Sequence, residues 1–163
     1  MTTTQDHLEP QTFRSALASM ATPVSVVTTE LAGERFGFTA NSFTSISMAP
    51  PLVGVYIAET ASAYRAFMET ETVAINILAA DQAHVARQFA TSGIDKFAGL
   101  DFDPDLAGAP VLAGTQVSFV GAIVDRPVIG DHVLLVVAPT RSTMPGPQPL
   151  IYHQRSFCQL PSV

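Results

Sequence analysis

The sequence predicts a mainly β protein, an antiparallel barrel or sandwich. Six or more segments have the length and branching of strands, and only about three short segments have helical periodicity. The two kinds do not alternate as βαβ units. No GxGxxG follows a strand and no Walker motif occurs, which argues against the nucleotide-binding α/β folds.

Residues 1–11 are polar and read as loose. TFRSALASMA (12–21) puts Phe13, Ala16, Leu17 and Met20 on one helical face, and Thr22–Pro23 ends that helix. VSVVTT (24–29) reads as a strand. LAGER is the turn of a hairpin that returns near Arg35, with Gly33 able to take the unusual φ of such a turn. The stretch from Gly37 to Ser47 is small and polar, interrupted by Phe38, Phe43 and Ile46. Pro50 and Pro51 break regular structure, because each lacks an N–H and fixes its φ. LVGVYIA (52–58) then has the apolar character of a buried strand.

ASAYRAFME (61–69) reads as a short helix in which Ser62 either caps or faces a ligand. TVAINIL (72–78) alternates as a strand. Asp81 opens DQAHVARQFAT, a helix with Gln82, Val85, Ala86, Phe89 and Ala90 on one face, and its carboxylate suits the first exposed N–H groups. Residues 92–110 are loop-like. TQVSFVGAIVDRPV (115–128) is a long strand, and IGDHVLLVVA (129–138) a turn and another strand. Residues 139–149, with four prolines, read as an extended link, and LIYHQRSFCQL (150–160) supplies a last strand or two. There is no repeat, linker or heptad, so residues 1–163 are expected to form one domain.

Charged residues make up only 13% of the chain, against roughly a quarter in typical soluble domains, so part of the surface is expected to be covered by another subunit. A net charge of −6 argues against nonspecific binding to nucleic acid or anionic lipid, while eight Lys and Arg leave room for a local basic pocket. No apolar run reaches the roughly 18 residues of a membrane span, and MTTTQDHLEP has neither a basic start nor an apolar core; a cytoplasmic protein is expected. The single cysteine, Cys158, rules out an internal disulfide and reads as a buried structural thiol.

No GxSxG elbow is present, and the four histidines lack zinc spacing. Asp131 and His132 are adjacent, and neighbours in a strand face opposite ways, which makes them a poor relay pair. What stands out instead is a set of hydroxyls, one amide and backbone N–H groups beside a core strand. Such a surface suits a polar, anionic, planar ligand, although each hydroxyl alone reads equally as a turn or strand cap. Lys96 alone reads as a solvated charge, and His132 alone as a hairpin-turn histidine.

In order along the chain, FRSALASMATPVSVVTT (13–29), GFTANSFTSISMAPPLVGVYI (37–57), VAINIL (73–78), ARQFA (86–90), DKFAG (95–99), GDH (130–132) and PLIY (149–152) resemble the short-chain flavin reductases. These are the reductase components of two-component flavin monooxygenases, and their fold is the FMN-binding split barrel. The resemblance implies an antiparallel split barrel with a few short flanking helices, assembled as a homodimer. It implies that NADH or NADPH reduces FMN or FAD, which then passes to a separate monooxygenase. Two alternatives share the fold: a reductase or oxidase with tightly held prosthetic FMN, and a non-catalytic flavin-binding protein.

By the same resemblance, Thr39, Ala40, Asn41 and Ser42 line the flavin ring edge and ribityl chain, and Ser45 lies by the ribityl or the phosphate. Ala61 and Ser62 approach the phosphate. Asn76 lies near the pocket or acts as scaffold. Phe89 and Ala90 sit beside the flavin, and Lys96 neutralises phosphate or ribityl oxygens. His132 is the catalytic-site residue, placed at the nicotinamide, which it positions without taking a proton. Tyr152 and Arg155 border the nicotinamide or flavin. The chain departs from the family at Pro23, where glycine is usual, at Ala49, where aspartate is common, and after GDH, where VLLVVAPTRST lacks the usual glycine and glutamate. These departures point to altered packing of the first strand and of the late strand and tail.

Overall fold

The computed structural model describes residues 7–104 and 108–161. The expectation for residues 1–6 therefore lies outside the described residues. The elements are α1 (Pro10–Ala18), β1 (Thr22–Pro23), β2 (Ser25–Leu31), β3 (Glu34–Ala40), β4 (Thr44–Met48), β5 (Pro51–Ala58) and α2 (Tyr64–Glu69). They continue as β6 (Thr72–Ile77), α3 (Ala83–Ala90), β7 (Val117–Asp125), β8 (Val128–Ile129), β9 (His132–Ser142), β10 (Ile151–His153) and β11 (Ser156–Cys158). The main sheet runs β3–β2–β6–β7–β9–β5–β4, with β8 on β9, and a small sheet runs β1–β10–β11. Every pairing is antiparallel.

The path is open: β3 and β4 are its two ends. A side chain ties across the split, where the Tyr56 N–H of β5 donates to Ser42 Oγ just past β3 at 3.0 Å. This is the expected mainly antiparallel split barrel with a few short helices.

Strand β2 shows how the sheet is held. Its residues Ser25–Thr29 are all buried, and successive side chains serve opposite faces. Val27 joins Phe38, Val55, Ile57, Phe67, Ile75 and Leu135 inside the curve of the sheet. Val26 joins Leu78, Val85, Ala86, Phe89 and Leu150 under α3. The β2–β3 hairpin closes through Ala32 and Gly33, with φ of 52° and 82°. Two positive values suit the strand twist of a two-residue hairpin, so alanine shares the unusual conformation expected of Gly33 alone. Arg126 closes the end of α2 by donating to the carbonyls of Phe67 (3.1 Å) and Thr70.

Several sequence expectations need correction. Helix α1 ends at Ala18, not at residue 21, and buries no residue. Phe13, Leu17 and Met20 are 51%, 49% and 56% exposed, so the apolar face turns away from this chain's own core. Thr22–Pro23 is more than a helix stop: it is β1, with Pro23 opposite Ile151. Strand β9 continues through Pro139 to Ser142, into what reads as a link. Proline is tolerated there because the β7–β9 register shifts between Val120 and Gly121, and Gly121 lies opposite Pro139. A Cβ on Gly121 would lie 2.1 Å from the Ala138 carbonyl oxygen, so only glycine permits this approach. Asp81 is not the cap of α3; Gln82 occupies that position and makes no side-chain cap bond. Its Oε1 instead accepts from Ala79 N, and its Nε2 donates to Ala113 O, both at 2.9 Å. Cys158 is exposed. In β11, Phe157 turns toward Tyr152, with ring centroids 5.6 Å apart, so its strand neighbour Cys158 faces the other way. No helix among the described residues is long and apolar enough to cross a membrane.

Candidate functional site

A cleft of about 380 Å³ opens where the end of β3, the end of β5 with the turn after it, the end of α3 and the β8–β9 hairpin meet. That volume lies within the usual span of small-molecule pockets, about 300–1,000 Å³.

The β3 wall runs from Phe38 to Ser42. It is drawn against α3 by Thr39 Oγ1, which donates to the Ala86 carbonyl at 2.6 Å. Gly37 makes that approach possible, since a Cβ there would meet the Phe89 ring at 2.5 Å. Phe89 itself is buried, and its ring meets Phe97 edge-on at 5.0 Å.

Lys96 closes the α3 wall. Its Nζ donates to Phe89 O at 2.8 Å and to Gly37 O at 3.3 Å, so one ammonium clasps the helix end to β3. A cation suits the C-terminal carbonyls of a helix. Partial burial pushes its pKa below the ordinary lysine value. Two of its three N–H groups are engaged by these carbonyls, and the third is left for the cleft that Lys96 lines. The isolated reading of Lys96 as a solvated charge does not describe it.

His132 forms part of the facing wall, opposite Ala58 in the β5–β9 pairing. Its Nδ1 lies 2.7 Å from Asp131 Oδ1. The expectation that these two face apart fails because Asp131 is not in a strand. Ile129 pairs with His132, and Gly130 (φ 64°) and Asp131 are the two turn residues between them. The hydrogen bond from His132 holds the Asp131 carboxyl below its ordinary pKa.

Of the residues singled out in the sequence, Thr39, Ala40, Asn41, Ser42, Ala61, Ser62, Phe89, Ala90, Lys96 and His132 line this one cleft. Four do not. Asn76 is fully buried in β6, where Nδ2 donates to Val26 O (2.9 Å) and Thr28 Oγ1 (3.2 Å), and Oδ1 accepts from Leu112 N (3.0 Å) and Ser118 Oγ (2.9 Å). It is the scaffold bracket, the second of its two expected roles. Ser45 is exposed on β4 and lies outside the cleft lining. Arg155 is an exposed residue of the β10–β11 turn with φ 61°. Tyr152 lines a separate groove, with Phe157 and Arg87, on the other side of Thr39–Asn41. Sequence reasoning missed Phe38, Tyr56, Ala58, Thr60 and Ser92. Tyr56 is two residues before Ala58 and so shares its face of β5; Ser92 follows Phe89 and Ala90 at the helix end. Those spacings were the signals available.

The donor set fits a planar phosphorylated group such as a flavin. Ala40, Ala58, Ala61 and Ala90 leave flat space, hydroxyls and backbone edge it, and Lys96 and Ser62 offer charge and a hydroxyl at one end. Tyr56, Lys96 and His132 are the titratable side chains lining the cleft. Binding and orientation are therefore what these walls can supply.

Residues 17–161 match the family described as flavin reductase like domain. Among curated relatives, NADH:riboflavin 5'-phosphate oxidoreductase of Streptomyces pristinaespiralis is 41% identical over 152 residues, 91% of this chain and 86% of that protein. The solved structure of Streptomyces globisporus C-1027 NADH:FAD oxidoreductase SgcE6, in complex with NAD and FAD fragments, matches with a TM-score of 0.87 and 29% identity. The match covers 96% of this chain and 97% of that one. BorF, the flavin reductase component of a bacterial two-component tryptophan halogenase, matches with a TM-score of 0.84 and 30% identity over 95% of this chain and all of its own.

Proposed function

The chain belongs to the flavin reductase like family, and from that premise we propose that it is an NADH-dependent flavin reductase, an oxidoreductase that supplies reduced FMN or FAD to a separate oxygenase or halogenase. The observation that carries the reading is the meeting of Thr39–Ser42, Lys96 and His132 around one cleft, from three distant parts of the fold. A bound flavin supplies the ring that accepts hydride, and reduced nicotinamide supplies the hydride.

The chain's own residues then have binding and orienting roles. Thr39–Ser42 run along the ring edge and ribityl, with Phe89 and Ala90 alongside. Ser62 and Lys96 receive the phosphate, and the part-buried ammonium is screened less by salt than a surface lysine would be. His132 has its Nδ1 engaged by Asp131, which leaves Nε2 to fix the nicotinamide. Holding two reactants in register is a large part of what such a site contributes. Ser45, Asn76, Tyr152 and Arg155 take no direct part in this assignment.

We read the chain as one unit of this kind, acting in the cytoplasm where free nicotinamide and flavin nucleotides are its ligands. A homodimer completes it. The support is the low charge of the chain and the outward apolar face of α1, together with exposed Ile46 and Met48 on edge strand β4. Sedimentation is expected to give a dimer at micromolar concentration; a monomer would remove that part of the proposal.

The activity is tested by adding NADH or NADPH, without oxygen, to purified protein with FMN or FAD. Loss of the flavin absorbance with multiple turnovers is expected, faster with NADH. Absence of bleaching with either nucleotide would leave a flavin-binding protein. Flavin retained through extensive dialysis would mean a prosthetic group and no transfer to a partner.

A further inference from the structure

We propose that Gln88, in the last turn of α3, is a positioning residue that sets Lys96 for the flavin phosphate by holding the backbone of the loop that carries it; this rests on the flavin reading of the cleft. The Gln88 Nε2 donates to the Lys96 carbonyl and to the Ala98 carbonyl, both at 3.0 Å. Two carbonyls call for a donor, so the amide faces them through its nitrogen. The next residue of the helix holds the far end of the same lysine, since the Phe89 carbonyl accepts from Lys96 Nζ at 2.8 Å. Lys96 is therefore pinned at its backbone by residue 88 and at its tip by residue 89.

The loop has little else to fix its path beside α3. Residues 91–95 are all exposed. Between Asp95 and Leu100 the backbone bonds are two long ones, Ala98 N to Asp95 O at 3.5 Å and Leu100 N to Phe97 O at 3.4 Å. Nor does the helix need the Gln88 amide to complete its own end. The carbonyls of Ala86, Arg87 and Gln88 accept from Thr39 Oγ1 (2.6 Å), Thr91 Oγ1 (2.8 Å) and Thr91 N (3.3 Å). What Gln88 adds is the place of the loop backbone. The carbonyls of Phe89 and Gly37 take two of the three N–H groups of Lys96. A flexible lysine stem could keep both carbonyls from several backbone positions. Fixing the backbone selects the one in which the remaining N–H is offered to the cleft.

The test is a set of fluorescence titrations of FMN and riboflavin with the wild type, Gln88→Met, Lys96→Met, the variant carrying both changes, and Thr91→Val. Methionine keeps the length of glutamine and removes its donors. Gln88 is half-buried and the Ala98 it holds is exposed, so water can serve the freed carbonyls and the urea midpoint should stay near wild type. Gln88→Met is expected to weaken FMN about fivefold and riboflavin by less than about twofold, and to add nothing once residue 96 is methionine. Thr91→Val removes a bond at the same helix end without touching Lys96, and should leave both flavins unaffected. Equal losses for the two flavins in Gln88→Met would make Gln88 a structural residue and overturn the proposal. Unchanged FMN affinity, a full further loss on top of Lys96→Met, or the same FMN loss in Thr91→Val would overturn it as well. Two results would instead strike the reading beneath it, and the proposal with that reading: a wild type that binds neither flavin, or a Lys96→Met variant that holds FMN normally. Both appear with Gln88 intact, which separates them from the others.

Discussion

Asn76 and Asn41 belong to two polar regions built from the same kinds of residue. Around Asn76, in the middle of the sheet, both amide donors and the carbonyl are used, and the partners Thr28, Ser118 and Leu112 N are themselves buried. Around Asn41, on the rim of the cleft, the side chain is exposed and makes no side-chain hydrogen bond among the described residues. A buried polar group left unpaired is costly, so the first region must be saturated to exist at all. The second has water as its default partner and can exchange it for a ligand. Saturation marks residues that hold the fold, and open valence beside an anchored backbone marks residues that hold something else.

Five substitutions test that division, beginning with the largest effect. Asn76→Ala leaves Leu112 N–H and the Val26 carbonyl buried without this partner, and urea unfolding should show a loss of about 2–4 kcal/mol. Asn41→Ala should change stability by no more than about 0.5 kcal/mol while lowering flavin affinity. Comparable destabilisation by the two would erase the distinction.

Lys96 stands in both regions, since its ammonium grips Gly37 O and Phe89 O and also borders the cleft. Lys96→Met keeps the aliphatic stem and should cost about 1 kcal/mol of stability, discounted for its partial exposure, together with roughly tenfold in FMN affinity. The affinity loss should shrink as salt is raised. A stability loss with FMN affinity unchanged would assign Lys96 to the scaffold alone.

His132→Ala belongs wholly to the open side. It should lower the NADH-dependent reduction rate about tenfold in single-turnover stopped flow, leaving flavin affinity and unfolding midpoint near wild type. If flavin binding were the sole defect, the nicotinamide assignment would be wrong.

The smallest effect is expected at Asp131→Asn. The folded-state pKa of Asp131 is depressed by the hydrogen bond from His132, so its contribution is present above the ordinary carboxylate range and is lost as pH falls through the lowered value. The carboxylate is fully exposed, and the change should be seen in the nitrogen chemical shifts of the His132 ring and not in the melting temperature. Unaltered ring shifts in the variant would show that the contact does not persist in solution.

The parts of the fold legible in the sequence are those set by local pattern. Alternation and branching place β2, β5 and β6 within a residue or two, and the Ala32–Gly33 turn sits between the two strands it joins. The rest depends on contacts remote in sequence. Proline at 139 looks like the end of a strand until Gly121 is seen opposite it. The apolar face of α1 has the right period for burial, yet none of its residues is buried among the described residues. At the site, the run 39–42 and His132 could be singled out by resemblance, but no local signal separates Asn76, held by residues 26, 28, 112 and 118, from a ligand contact. Ser45 illustrates the same limit in reverse, because strand β4 carries it out of the cleft that its neighbour Ser42 lines. Asp131 was misread because one residue decides whether it belongs to a turn or a strand.

The two bonds that anchor the rim also fix what each hydroxyl can say to a ligand. Thr39 gives its only hydroxyl proton to the Ala86 carbonyl, so toward the cleft it can only accept. Ser42 takes the Tyr56 N–H on its oxygen, which leaves its proton free to offer, beside one remaining lone pair. Three residues apart, the rim therefore carries a polarity: an acceptor at 39 and a donor at 42. A ligand edge that presents N–H and then C=O in that sense finds both groups met, whereas the reversed edge sets its C=O against a hydroxyl at 39 with no proton left to give.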